Sequence, residues 1–144
     1  MRALLYMAQQ PRAVGASEIA SEVGAPPNYL GKVLQRLGQA GIVKSIRGRG
    51  GGFAIRPPLD QVTVAQIISP LEDLTRHQNC VLGRDRCDDS EPCPLHEAWK
   101  QMRDPFYRQI ETMTLATMIS DVPTNGIPSP RRVAPSLISN DWLD

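Results

Sequence analysis

A mainly α-helical fold with a small β-hairpin wing, a winged helix-turn-helix leading into a long dimerisation helix, is what this 144-residue sequence predicts. Three observations carry that expectation. Two short segments with apolar residues at helical spacing follow one another across Gly24-Ala25-Pro26. A glycine-rich basic turn at 47–52 lies between two β-prone runs. Apolar residues then recur three or four apart from Leu95 to Met113.

Taken in order, Arg2–Gln9 reads as a helix that begins at Met1 without a cap or a lead-in, as the second half of a longer helix would. A second helix is expected from Ser17, whose hydroxyl can cap it, through Ile19, Ala20 and Val23 to a stop at Gly24. Pro27 suits the first turn of a third helix, where a missing N–H costs nothing. In that helix Tyr29, Leu30, Val33, Leu34 and Leu37 form one apolar stripe opposite Asn28, Gly31, Lys32, Gln35 and Arg36, and Gly41 ends it. Ile42–Ile46 and Phe53–Ile55 read as paired strands around the turn Arg47-Gly48-Arg49-Gly50-Gly51-Gly52. Pro57-Pro58 closes a winged-helix module at 1–58. Residues 59–120 then hold a helix capped by Thr63, an irregular cysteine-bearing loop and a long helix from Pro94. Residues 121–144, with Pro123, Pro128, Pro130 and Pro135, are expected to form a disordered tail.

The long helix carries Leu95, Trp99, Met102, Phe106, Ile110 and Met113 as a seam, more than so small a core can cover. The simplest cover is the same helix of a second copy, so a homodimer is expected. Pro105 inside the pattern should kink or interrupt the helix.

Charge is divided along the chain. Residues 1–60 hold eight Lys/Arg against three Asp/Glu, and residues 61–144 hold eight against twelve, so the net +1 hides a basic first half. That half suits contact with a polyanion. Helix-turn-helix modules place the N-terminal residues of the second helix nearest the base edges of a major groove, which points to Pro27, Asn28, Gly31 and Lys32, with Gln35 and Arg36 further along. Asn28 can pair with adenine, and Lys32 and Arg36 can meet guanine or phosphate. The glycines make the wing tip thin enough for a minor groove, and Arg47 and Arg49, beside Gly50 and Gly51, give it charge. The expected partner is double-stranded DNA, read as an imperfect palindrome by two such heads.

All three cysteines lie between 80 and 93, and an intramolecular disulfide would leave one over. Cys80, Cys87, Cys93 and His96 offer three thiolates and an imidazole in one short stretch. Thiolates select zinc or iron-sulfur centres, and the gaps of six and five residues depart from zinc-finger habits. Cys93 is expected at the start of the long helix, with Pro94 in its first turn and His96 one turn in, where the helix dipole would favour a thiolate. His77 is not assigned a role, and Asp85, Asp88, Asp89 and Glu91 fit no calcium loop and read as a solvated acidic stretch. Two alternatives stand beside the cluster: a zinc site, or direct thiol chemistry at Cys87 and Cys93. A thiol enzyme is disfavoured, because no Cys-x-x-Cys and no ordered Cys/His/carboxylate set appears in the sequence. No stretch is long and apolar enough for a membrane span and the start lacks a signal-peptide pattern, so a cytoplasmic location is expected.

With these residues in hand, the chain resembles the IscR/NsrR-type (Rrf2) family of bacterial regulators over most of residues 1–120. The resemblance is carried by Tyr29-Leu30 with Leu37, by Ala40-Gly41-Ile42-Val43, by the wing Arg47-Gly48-x-Gly50-Gly51-Gly52-Phe53, and by three cysteines followed by Pro94-Leu95-His96. It implies a winged-helix transcription regulator, often a repressor and not an enzyme. It further implies a dimerisation helix and, in cluster-bearing members, a [2Fe-2S] or [4Fe-4S] cluster whose state sets DNA affinity. Cys80, Cys87 and Cys93 match the family's cysteines, and His96 matches one type of fourth ligand. Family members usually begin earlier, so Met1 is read as an internal start, and some take the fourth ligand from that earlier segment. The first cysteine gap is one residue longer than is common, which leaves nuclearity open. Gly31 stands where some relatives carry a base-reading glutamate, so the operator need not be theirs.

Overall fold

The computed structural model describes residues 1–75 and 79–121; His77 and the expected tail beyond Asp121 lie outside them. It is mostly helical with one two-stranded antiparallel sheet. Helices α1 (Arg2–Ala8), α2 (Ala16–Val23) and α3 (Pro27–Gln39) pack successively, and the hairpin β1 (Val43–Ile46) and β2 (Gly52–Ile55) follows. Its register pairs Val43 with Ile55 and Ile46 with Gly52. The chain before α2 joins the hairpin as a third, minimal partner: Val14 and Phe53 exchange both backbone hydrogen bonds, at 2.9 and 2.8 Å.

The core explains these elements. Leu4, Leu5, Val14, Ile19, Ala20, Leu30, Leu34, Leu37, Ile42 and Val43 are buried together, the inward positions of three amphipathic helices and the first strand. Val62, Ile67 and Leu115 belong to the same cluster. After a single 3-10 turn at Leu59–Gln61, α4 (Val64–Ile68) starts on a full capping box, Thr63 Oγ1 accepting from Gln66 N–H while the Gln66 side chain accepts from Thr63 N–H. The long helix α5 (His96–Thr112) packs on α4, and α6 (Leu115–Ser120) returns to α1, its start tied to the start of α4 by Leu115 N–H to Val62 O and Val64 N–H to Met113 O.

Several sequence expectations require correction. Helix α2 starts at Ala16 on Gly15, with no side-chain cap, because the bridge from Val14 to Phe53 fixes the chain just ahead of Gly15, two residues before Ser17 can cap. Tyr29 is not in the apolar stripe of α3; it is 65% exposed, while Leu30, Leu34 and Leu37 turn inward. The long helix begins at His96 and not at Pro94, since Cys93 O takes the His96 N–H in a three-residue turn and Leu95 leaves helical geometry. Pro105 does not interrupt α5: it is exposed, and the hydrogen-bonded turns on either side carry the helix through the one missing N–H. Met113 ends α5, and α6, capped by Thr114 Oγ1 accepting from Thr117 N–H, is a separate element.

Candidate functional site

Two surfaces concentrate the candidate residues. The first is the exposed side of α3 with the hairpin tip. Pro26 stays extended and Pro27 takes the first helical position, so the helix opens with Pro27, Asn28 and Tyr29 all facing solvent. Lys32, Gln35 and Arg36 continue that side; Gly31 is partly covered, but nothing lies within 4 Å of where its side chain would be. Arg47, Gly48, Arg49 and Gly50 form the exposed tip. The two glycines behind the tip are a steric requirement: a Cβ on Gly51 would sit 2.2 Å from Ile46 O, and one on Gly52 2.4 Å from Val14 O. Beneath α2 a polar knot fastens α1, with Tyr6 O–H donating to Glu18 (3.0 Å) and the Arg12 guanidinium donating to it at 2.7 Å. Arg12 first, and Tyr6 second, hold the Glu18 carboxyl below its ordinary value.

The second surface is the loop 79–95 against the start of α5. Cys80, Cys93 and His96 are buried and Cys87 is half-buried. The four residues come together as two pairs. Cys80 Sγ and Cys93 Sγ are 3.6 Å apart, and Cys87 Sγ is 3.4 Å from His96 Nδ1. Cys93 lies three residues before the helix and His96 is its first residue, so the expected helix start at Cys93, with Pro94 in the first turn and His96 one turn in, does not hold. No three His, Cys, Asp or Glu among the described residues converge on a single metal position. Of the two cysteines to which the sequence assigns direct thiol chemistry, Cys93 has Cys80 as its near sulfur neighbour and Cys87 has the His96 ring.

Local electrostatics favour an anionic sulfur at Cys80. Backbone hydrogen bonding at Leu82 is the main cause that lowers the Cys80 thiol from its ordinary value, with Cys93 and Arg84 adding to it against burial. Burial pulls Arg103 down, yet hydrogen bonds to Asp104 and to Cys87 outweigh it and keep the guanidinium above its usual value. Arg103 and Cys87 share a surface cavity of about 480 Å³ with Asp104, Tyr107, Arg108 and Glu111. Asp89, read from sequence as part of a solvated stretch, has a specific position: its Oδ1 lies 2.7 Å from His96 Nε2 and 2.7 Å from Lys100 Nζ. Lys100 first, then His96, lower its carboxyl from the ordinary range. Cys87, His96 and Asp89 thus form an ordered thiol-imidazole-carboxylate row that no sequence spacing revealed.

The loop is fastened to α5 by Trp99 Nε1–H to Asn79 O (2.9 Å), and Tyr107 O–H reaches back to Leu74 O (3.0 Å). Leu95, just before this helix, and Met102 and Phe106 on it are 47%, 67% and 58% exposed. With Trp99, Tyr107, Ile68 and Leu74, Met102 and Phe106 line an apolar groove of about 470 Å³. Among the described residues no helix is long and apolar enough to cross a membrane.

Residues 1–121 match the model of a family described as Rrf2, iron-dependent transcriptional regulator. Among solved structures, the chain is similar to IscR of T. potens, with a TM-score of 0.68 and 23% identity over 89% of this chain and 85% of that one. It is also similar to CymR (YrzC), the global cysteine regulator of B. subtilis, with a TM-score of 0.67 and 26% identity over 83% of this chain and 89% of that one. For the oxidised form of Staphylococcus aureus CymR the TM-score is 0.64, with 26% identity over 84% and 90% of the two chains.

Proposed function

The chain belongs to the Rrf2 family of transcription regulators, and from that premise we propose that it is a DNA-binding repressor whose affinity is set by a [2Fe-2S] cluster held by Cys80, Cys87, Cys93 and His96. The observation that carries this reading is the pairing of the four donors, Cys80 with Cys93 and Cys87 with His96. Two thiolates on one tetrahedral ion at about 2.3 Å stand about 3.8 Å apart, close to the 3.6 Å between Cys80 and Cys93. Two two-donor ends suit a binuclear centre better than a single four-donor zinc ion.

Such a cluster supplies one-electron chemistry and lability toward oxidants, nitric oxide or iron shortage. The chain's own residues connect it to DNA. His96 opens α5 and Cys93 immediately precedes it, so donors that hold the loop also hold the start of the helix. The exposed Leu95, Met102 and Phe106 offer α5 as the seam for a second copy, which would set two α3 helices about 34 Å apart on successive major grooves of an imperfect palindrome. There Asn28 reads adenine, Lys32, Gln35 and Arg36 meet bases or phosphates, and Tyr29, missed from sequence, adds an exposed aromatic contact. Pro27 and Gly31 let the backbone approach, and Arg47 and Arg49 enter the flanking minor groove on the tip that Gly50 and Gly51 shape. Ordering or releasing the loop shifts the balance between two spacings of the reading heads.

Anaerobic purification tests this. A coloured protein with two irons and two sulfides per chain, whose retention on operator DNA changes when the cluster is removed, is the expected result; colourless protein with stoichiometric zinc would overturn it. One observation favours a second reading, a thiol switch: Cys80 Sγ and Cys93 Sγ already lie 3.6 Å apart, against about 2.05 Å in a disulfide, and a similar protein, S. aureus CymR, has an oxidised form. Mass spectrometry after air exposure of metal-free protein would then find Cys80 joined to Cys93 and DNA retention altered without any iron.

A further inference from the structure

We propose that Asp89, steadied by Lys100, is a positioning residue that presents Nδ1 of His96 to the iron-sulfur centre; this deepens the cluster reading above and rests on it.

The argument starts from the ring. The His96 side chain is 9% exposed, so its two nitrogens must find protein partners. Nε2 faces Asp89 Oδ1 at 2.7 Å and Nδ1 faces Cys87 Sγ at 3.4 Å. An ionised carboxylate can only accept, so a neutral imidazole in this setting carries its hydrogen on Nε2 and leaves the Nδ1 lone pair aimed at the thiol beside it. That is the tautomer a metal on the Cys87 side needs, and a carboxylate on the far nitrogen is the usual means of fixing it.

Asp89 would be a poor anchor alone, since its side chain is 75% exposed and water competes for it. Lys100, four residues along α5 from His96, places Nζ 2.7 Å from the same oxygen and restricts the carboxylate's motion. The neighbouring carboxylate cannot substitute: Asp88 Oδ1 is committed to the Ser90 N–H and hydroxyl at 2.8 and 2.7 Å. One loop residue and two residues on one face of α5 therefore define which ring nitrogen meets the centre.

The experiment loads wild type, Asp89→Ala, Asp89→Asn and Asp88→Ala with iron and sulfide without oxygen, each with histidine labelled at one ring nitrogen. Pulsed EPR of the reduced cluster reads the bonded nitrogen, and a His77→Gln background assigns the signal to His96. Strong coupling from Nδ1 is expected in wild type and Asp88→Ala. Asp89→Asn, which keeps an acceptor, should retain it, whereas Asp89→Ala should lose it or divide it between the two nitrogens and release iron to a chelator about 10- to 100-fold faster. Coupling from Nε2 in wild type, or an Asp89→Ala spectrum unchanged from wild type, overturns the proposal. If wild type binds no cluster, the parent reading falls by that result alone. Long-range proton-nitrogen spectra of the metal-free protein then decide the role of Asp89: a His96 tautomer that persists in Asp89→Ala refutes it.

Discussion

Leu34 and Ile19, at the centre of the winged helix, are sealed from solvent, whereas Val81 and Leu82, between the first two cysteines, are 47% and 55% exposed. The first region is held by burial of apolar surface shared among α1, α2, α3 and the hairpin. The loop 79–95 is held by separate polar contacts, among them Trp99 to Asn79, Arg84 to Glu91, His96 to Asp89 and the two sulfur pairs. A segment with few buried apolar contacts opens at low free energy. Under the proposed function, occupation or loss of a centre there would therefore change the loop's order at small cost while the reading head keeps its shape. That division of labour is what a switch attached to a rigid DNA-binding surface requires.

The sharpest way to break this contrast is to cut one apolar side chain in each region. Leu34→Ala should cost about 2–5 kcal/mol in urea unfolding, because Leu34 is wholly enclosed. Leu82→Ala in metal-free protein should stay within about 0.5 kcal/mol of wild type. Comparable losses from the two would mean that the loop shares the core's cooperative stability, and the switch argument would lose its basis.

Next in size are the changes on the reading surface, which should move DNA affinity and leave folding untouched. Asn28→Ala should cost about 1–3 kcal/mol at one base position and relax specificity there. Tyr29→Ala should also weaken binding without lowering stability, given how little of Tyr29 is buried. Arg47→Ala should weaken binding to every sequence alike and reduce the salt slope by about one. Binding isotherms against operator and scrambled duplexes at several salt concentrations separate these patterns; an Arg47→Ala protein with unchanged salt dependence would remove the wing from the interface.

How much of this was readable beforehand follows from how local each signal is. The α2–α3 pair and the hairpin could be read because Ile19, Leu30, Leu34 and Leu37 repeat at helical spacing and a glycine run punctuates two β-prone segments. Tyr29 was misplaced because spacing gives the direction of an apolar stripe and not its edges; only packing against α2 decides that Leu30 turns inward and Tyr29 does not. Gly15 displaces Ser17 as the start of α2 because of a long-range bridge to Phe53. Helix α6 did carry a legible signal, Thr114 before an apolar run, which was hidden by extending the α5 pattern to Met113. At the cysteine loop the donor types were readable, but their pairing was not. Cys80 meets Cys93 across 13 residues and Asp89 reaches His96 across seven, through a loop with no period to read.

The smallest effect concerns the polar contact inside the reading head, and it tests whether such contacts matter there at all. Glu18 accepts from Arg12 and Tyr6, and the two depress its carboxyl below the ordinary value of 4.5. A depressed carboxyl contributes stability that is fully present above the unfolded value and disappears as pH falls through the lowered folded value. Thermal melts of wild type and Glu18→Gln should therefore differ slightly at neutral pH, with wild type higher, and converge in acid once Glu18 is protonated in both states. The gap must be small, because the pair is solvent-exposed and screened. A gap that persisted undiminished in acid would show that Glu18 acts through packing and not charge. A large gap at neutral pH would show that the head, like the loop, depends on polar point contacts, and the two regions would then differ in degree and not in kind.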